Sequence, residues 1–375
     1  MSTGGPRVAA TPGSQRPGAS VALLEHGSGT ALEVRGEVEV EVQRRPLRVR
    51  VVWLHVAIGA VILAMVASVA IGSRSVSWPD IWNALGGAQD TLGEAAVTKR
   101  IPRTLLAVLV GAALAVAGAV MQGVTRNPLA DPGILGVNTG ASLAVVIGIA
   151  YFQLTSPTSF IWVAIGGSAA AAVFVYAVGS LGRGGATPLK LALAGAATSA
   201  TFASLVSAVV LGRNDIAGGV TSWQIGGVGG ATYDKLGFLA PVLGVGFLVC
   251  LLSARGLNSL ALGDDLAAGL GQNVALTRAV AAFGAVVLCG ASTAIAGPIV
   301  FVGLVVPHAC RMLFGADYRW ILPLSAVIGA ALLTTADVVG RIVARPEEID
   351  VGILTAFLGA PVFIHIVRRQ KVREL

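Results

Sequence analysis

From Val51 to the C-terminus the chain runs as a succession of long apolar stretches separated by short polar segments. Each stretch is close to the roughly 20 residues that an α-helix needs to cross the hydrocarbon core of a bilayer. Ten such spans fit, at about 51–71, 104–124, 133–152, 160–181, 190–211, 236–254, 275–296, 299–315, 319–340 and 350–367. In lipid every backbone polar group needs an internal partner, which leaves only helices and closed barrels. A barrel is written in alternating segments of about ten residues, whereas these runs are continuous. Charged residues make up 12% of the 375, about half the share usual in soluble domains, and the mean hydropathy is +0.81. The expected fold class is an all-α integral membrane protein of about ten transmembrane helices. Many of the 49 glycines lie inside the runs beside Ala and Ser, where small residues let helix backbones approach closely.

Residues 1–50 are rich in Gly, Pro, Ser, Glu and Arg, hold no run of membrane length, and are expected to form a disordered cytoplasmic tail. The transmembrane domain is expected over 51–370, with a short cytoplasmic tail at 371–375. Arg44, Arg45, Arg48 and Arg50 precede the first span, and Arg368, Arg369, Lys371 and Arg373 cluster at the end of the last. Positive residues favour the cytoplasmic side, so both termini are expected inside a cell membrane, which requires an even number of spans. The connections at about 73–102, 153–159, 212–235 and 341–349 then face outward. Ser77-Trp78-Pro79-Asp80-Ile81-Trp82 reads as a capped helix start with two Trp on one face, lying along the outer membrane surface. Gly111–Gly118 and Gly284–Gly297 are weakly alike, as in transporters built from inverted halves.

The net charge of +7 sits largely in residues flanking spans, so no nucleic-acid partner is expected. Cys250, Cys289 and Cys310 are far apart in apolar runs, a spacing that suits neither a zinc site nor a disulfide framework. They are expected as buried thiols. No Gly-x4-Gly-Lys-Ser/Thr phosphate loop occurs, so the chain carries no recognisable ATP site of its own. No catalytic carboxylate pair or nucleophile with its base is found, and no metal site is expected; His308 follows Pro307 without a second ligand nearby. The acidic residue well inside a span is Asp337, near its outer end. Ion-coupled carriers place ionisable residues near the midplane, which weighs against a secondary carrier.

Four segments carry more information than composition. They are Lys99-Arg100-Ile101-Pro102-Arg103-Thr104-Leu105 continuing to Gln122 and Arg126-Asn127-Pro128-Leu129-Ala130-Asp131-Pro132-Gly133, then Leu262 to Gly271, Gly303-Leu304-Val305-Val306-Pro307-His308, and Gly359-Ala360-Pro361-Val362-Phe363. In order and spacing they closely resemble the permease family of type II ABC importers for iron siderophores, haem and vitamin B12, over about residues 51–370. The N-terminal tail is longer than that family requires.

The resemblance implies the type II importer permease fold and a dimer of ten-helix subunits, formed with a second permease subunit. It also implies two ABC ATPase subunits below, which bind ATP and Mg, and an extracytoplasmic substrate-binding protein above. It gives Gly263, Asp264, Asp265, Ala267, Gly269 and Gly271 the role of an ATPase-coupling element; two acids open that segment, where a helix dipole favours negative charge. It gives Arg100, Arg103 and Arg341 the role of docking to acidic residues of the binding protein, and a planar guanidinium suits a carboxylate. Thr187 and Pro188 are expected near a cytoplasmic gate; Gly195, Ser199, Ala203 and Ser207 form a small-residue stripe that suits either a partner helix or the pore, and the resemblance sets this span, with Gly195 and Ser199, beside the path. Arg126 and Asp131 are expected to pair. The motif from Arg126 to Asn138 is closer to the siderophore branch than to the vitamin B12 branch. A haem or vitamin B12 permease, an ion-coupled carrier and a non-transporting scaffold remain as rival readings.

Overall fold

The computed structural model describes residues 46–181 and 188–371; the tail at 1–45, Thr187 and residues 372–375 lie outside the described residues. The described helices are, in chain order, α1 Leu47–Ala70, α2 Trp78–Leu85, α3 Leu92–Thr125, α4 Val137–Phe152, α5 Pro157–Ser180, α6 Pro188–Leu211 and α7 Asn214–Ile225. They continue as α8 Tyr233–Leu252, α9 Ala254–Leu260, α10 Asp264–Gly269, α11 Val274–Ala296, α12 Val302–Phe314, α13 Tyr318–Val343 and α14 Val351–Lys371. Seven of them, α1, α3, α5, α6, α8, α11 and α13, are long and apolar enough to cross a membrane, and α4, α12 and α14 are shorter apolar helices. Together these ten coincide with the ten expected spans.

Helices α3 and α11 form the centre. In the most apolar window of α3, 78% of residues are buried, against 11% in α1. Small residues explain this placement. Gly111 of α3 faces Gly329 of α13 so closely that a Cβ on either would strike the other's carbonyl oxygen, and Gly118 meets the backbone of Gly303 in the same way. Such contacts replace the hydrophobic drive that lipid removes. α1 is peripheral and packs against α3 and α13.

The ends of the bundle are distinct. At one lie α2, the start of α3, the end of α13 and the start of α14; at the other lie α9, α10, the start of α11 and the start of α13. Arg50 near the start of α1 sits over the Trp320 ring at 5.8 Å, which puts the beginning of α1 at the α10 end. α14 begins at the α2 end, where the Gly352 N–H donates to Gly226.

Two elements differ from expectation. α3 begins twelve residues before the expected span, because Thr91 and Glu94 close a capping box that starts the helix there. Its 34 residues extend to about 50 Å, so Arg100 and Arg103 stand on a helix and not in a loop. The expected loop at 212–235 contains the twelve-residue α7, whose Gly218-Gly219 pair disguises it; the Trp223 indole fastens it to the Ala294 carbonyl at 3.3 Å.

Candidate functional site at the two ends of the bundle

The α10 end is built around one short helix. Gly263 enters it at φ +111° and Gly271 leaves it at φ +80°, conformations that only glycine adopts cheaply. Ala267 is fully buried and seats the helix. Asp264 is held by Arg278 of α11 at 2.9 Å and by Arg126, the C-cap of α3, at 3.6 Å. Leu262, Leu266 and Leu270, one turn apart, all point away from the protein, Leu266 being 62% exposed. Asp265 and Gly269 are exposed beside them. The helix is therefore wired inward to two central helices and presents an apolar ridge outward.

Arg126 thus pairs with Asp264, which corrects the expected pair with Asp131. Asp131 instead caps the turn Pro132–Leu135 by accepting the Gly133 N–H at 2.8 Å. Burial pushes its carboxyl up to about 6. The remaining motifs meet other parts of the bundle at close quarters. Gln122 donates to the Gly303 carbonyl at 3.1 Å and accepts from Arg311, and Gly359 lies directly under the Phe301 ring. Residues scattered along the sequence mark helix crossings.

At the α2 end the three singled-out arginines come together, with a different exposure from that expected. Arg341 (1% exposed) and Asp337 (0%) are buried, paired at 2.9 Å. Arg341 also donates to the Ser68 carbonyl at 2.9 Å and hydroxyl at 2.6 Å. Arg100, likewise buried, donates to the carbonyls of Val69 (3.1 Å), Ala70 (3.2 Å) and Arg74 (2.6 Å). The carbonyls of Ser68, Val69 and Ala70 are orphan acceptors in the last turn of α1, so the two arginines fasten that otherwise lightly packed helix to α3 and α13. The expectation that their guanidinium groups face outward is corrected: helix-end carbonyls have drawn them in.

Arg103 lies between interior and surface. It grips Asp337 at 2.8 Å and Glu348, on the connection before α14, at 2.5 Å. Glu348 also accepts from the Ser73 hydroxyl at 2.8 Å. Partial burial pulls the Glu348 carboxyl upward, but the hydrogen bonds from Arg103 and Ser73 and the charges of Arg103 and Arg341 together outweigh it and leave it below the usual carboxylate range. Ser68, Ser73 and Glu348 were not singled out from sequence. The i,i+4 spacing of Asp337 and Arg341 was the readable signal.

On α6, Gly195 is buried and Ser199 is half-buried, accepting from the Thr139 hydroxyl of α4 at 3.3 Å. Both face the rest of this chain, whereas Ala203 and Ser207 are exposed. A stripe with spacing four turns by about 40° per step around a 3.6-residue helix, so its two halves face different surroundings. The exposed small and hydroxyl face is Ala197, Thr201, Ser204 and Ala208. Pro188 opens α6.

Comparison with known proteins agrees with this architecture. Residues 60–369 match the FecCD transport family. The ferric enterobactin transport system permease protein FepD of Escherichia coli is 43% identical over 311 residues, 82% of this chain and 92% of FepD. The iron(3+)-hydroxamate import system permease protein FhuB of Bacillus subtilis is 42% identical over 306 residues, 81% of this chain and 79% of FhuB. A solved structure described as an inward-facing conformation of a metal-chelate type ABC transporter superposes with a TM-score of 0.73 at 28% identity, covering 85% of this chain and 99% of that one. This is a multi-pass membrane protein, and the chain belongs to the FecCD transport family.

Proposed function

We propose that this chain is the permease subunit of an ATP-driven importer that passes a ferric siderophore through the cytoplasmic membrane. Both termini and α10 face the cytoplasm, and α2 faces outward. The observation that carries the reading is α10: a short helix anchored inward by Ala267 and by Asp264 to Arg278 and Arg126, with Leu262, Leu266 and Leu270 left as an apolar ridge. This ridge fits a groove in an ATPase subunit, which binds ATP and Mg and performs the hydrolysis. Movement of that subunit reaches α3 and α11 through the Asp264 pairs.

A second permease subunit completes the path, bordered by the exposed face of α6. A substrate-binding protein docks at the outer end around Arg103 and Glu348, with Arg100 and Arg341 supporting that corner from beneath. Siderophore is the favoured cargo because FepD and FhuB, by name, serve enterobactin and iron(3+)-hydroxamate. An ion-coupled mechanism is disfavoured because Asp337 is neutralised by Arg103 and Arg341. The test is uptake of a radiolabelled ferric siderophore in cells whose membrane potential is collapsed while ATP is maintained. Uptake should persist, and should vanish when the phosphate-loop lysine of the partner ATPase is replaced; the opposite pattern would establish ion coupling.

A further inference from the structure

Helix α2 turns Ala84 and, in part, Ile81 inward and leaves a second apolar face outside. Asp80 accepts the Ser77 N–H at 2.9 Å and hydroxyl at 2.6 Å and the Thr91 hydroxyl at 3.1 Å. Asn83 donates to the buried Glu94 at 3.0 Å, and Glu94 accepts the N–H groups of Asp90 and Thr91. Asp80 and Asn83 thus each bond to the start of α3. The apolar residues Trp78 and Trp82, one turn apart, stand 68% and 71% exposed, and Leu85 extends the same face outward. A surface helix in water hides its apolar stripe and shows its polar one; this helix buries Ala84 yet still shows two Trp and a Leu, so something apolar covers that second face.

We propose that the Trp78, Trp82 and Leu85 face is embedded in the headgroup–acyl boundary of the outer leaflet and that α2 is a lipid-bound foot for α3. Two observations select lipid. The exposed apolar surface of α1, through Ile58, Ile62, Val66 and Ile71, leads directly through a short connection into α2, so the face continues a surface already turned to acyl chains. Its chemistry is also that of the interface: indole rings join an apolar body to an N–H, the combination enriched at headgroup depth, and Arg74 and Lys99 are exposed on the adjoining segments, cations that suit lipid phosphate. The face itself bears no charge to meet an acidic binding protein. Because α2 is tied to α3 by the Thr91–Asp80 and Asn83–Glu94 hydrogen bonds, its depth in the interface sets the depth of Arg100 and Arg103. The inference rests on the multi-pass reading and is independent of the cargo.

The three native cysteines are fully buried, so a cysteine introduced by Trp82→Cys, or by Trp78→Cys in a second variant, takes a nitroxide label selectively. In phosphatidylethanolamine/phosphatidylglycerol nanodiscs both labels should collide with oxygen more than with a water-soluble nickel chelate, while a label introduced by Leu266→Cys on α10 shows the reverse. Higher nickel accessibility at 78 and 82 overturns the proposal by placing the face in water. Protection from both reagents overturns it in favour of a protein partner. With the native fold untouched, lipids brominated near the carbonyl end should quench wild-type tryptophan emission, and Trp78→Phe/Trp82→Phe should lose part of that quenching; no loss also overturns it. Siderophore uptake measured on the same variants keeps a failure here separate from a failure of the transport reading.

Discussion

Replacing Asp337 by Asn removes a buried carboxylate that two arginines, Arg103 and Arg341, share inside the bundle. Asp337 is inaccessible to solvent and Arg341 nearly so; Arg103 keeps Glu348, whereas Arg341 keeps only Ser68 and a backbone carbonyl. Breaking a buried pair from one side strands the other charge and costs about 3–5 kcal/mol. At roughly 2–4 °C per kcal/mol for a large domain, the apparent Tm should fall on the order of 10 °C. The readout is loss of the monodisperse peak on size-exclusion chromatography after stepwise heating in detergent. A double variant, Asp337→Asn with Arg341→Leu, should melt above the single one, because the stranded charge is gone. A fall of less than about 2 °C, or a double variant no better than the single, would refute the reasoning and mean that water reaches these groups.

Leu266→Glu puts a charge on an exposed ridge, so it should leave Tm within about 1 °C while abolishing co-purification with the ATPase. Asp264→Ala breaks pairs that are partly exposed and worth at most about 1 kcal/mol; siderophore uptake should drop while ATP hydrolysis by the assembled transporter continues, and unchanged uptake would remove α10 from the coupling path. Gly118→Leu should prevent accumulation in the membrane, since its Cβ collides with the Gly303 backbone, whereas Gly59→Ala, with open space around it, should be tolerated; immunoblots of membrane fractions distinguish them. The depressed Glu348 carboxyl stabilises the fold fully above the ordinary glutamate range and loses that effect as pH falls through it. Wild-type Tm should therefore decline on acidification below about pH 5 more steeply than that of Glu348→Gln, and parallel declines would contradict the assignment.

The ten spans were legible because each is a signal some twenty residues long. α10 was legible because two acids at a helix start and two flanking glycines have local causes. What escaped depended on partners without a sequence signature. Arg100 and Arg341 are drawn inward by the carbonyls of Ser68, Val69, Ala70 and Arg74, and any residue supplies a carbonyl. The early start of α3 was masked by its charges, and α7 by its glycines. The stripe from Gly195 to Ser207 does not keep to one face, because a spacing of four drifts from one side of a helix to another. Arg126 was paired with its neighbour in sequence, while its partner Asp264 arrives from a distant segment.

The central claim is tested most directly by radiolabelled ferric-siderophore uptake in cells with this chain deleted and then restored, with haem and vitamin B12 measured alongside. The account predicts that iron-siderophore uptake alone is lost and recovered. Loss of haem or vitamin B12 uptake alone would contradict the cargo, and no change in any of the three would contradict transport.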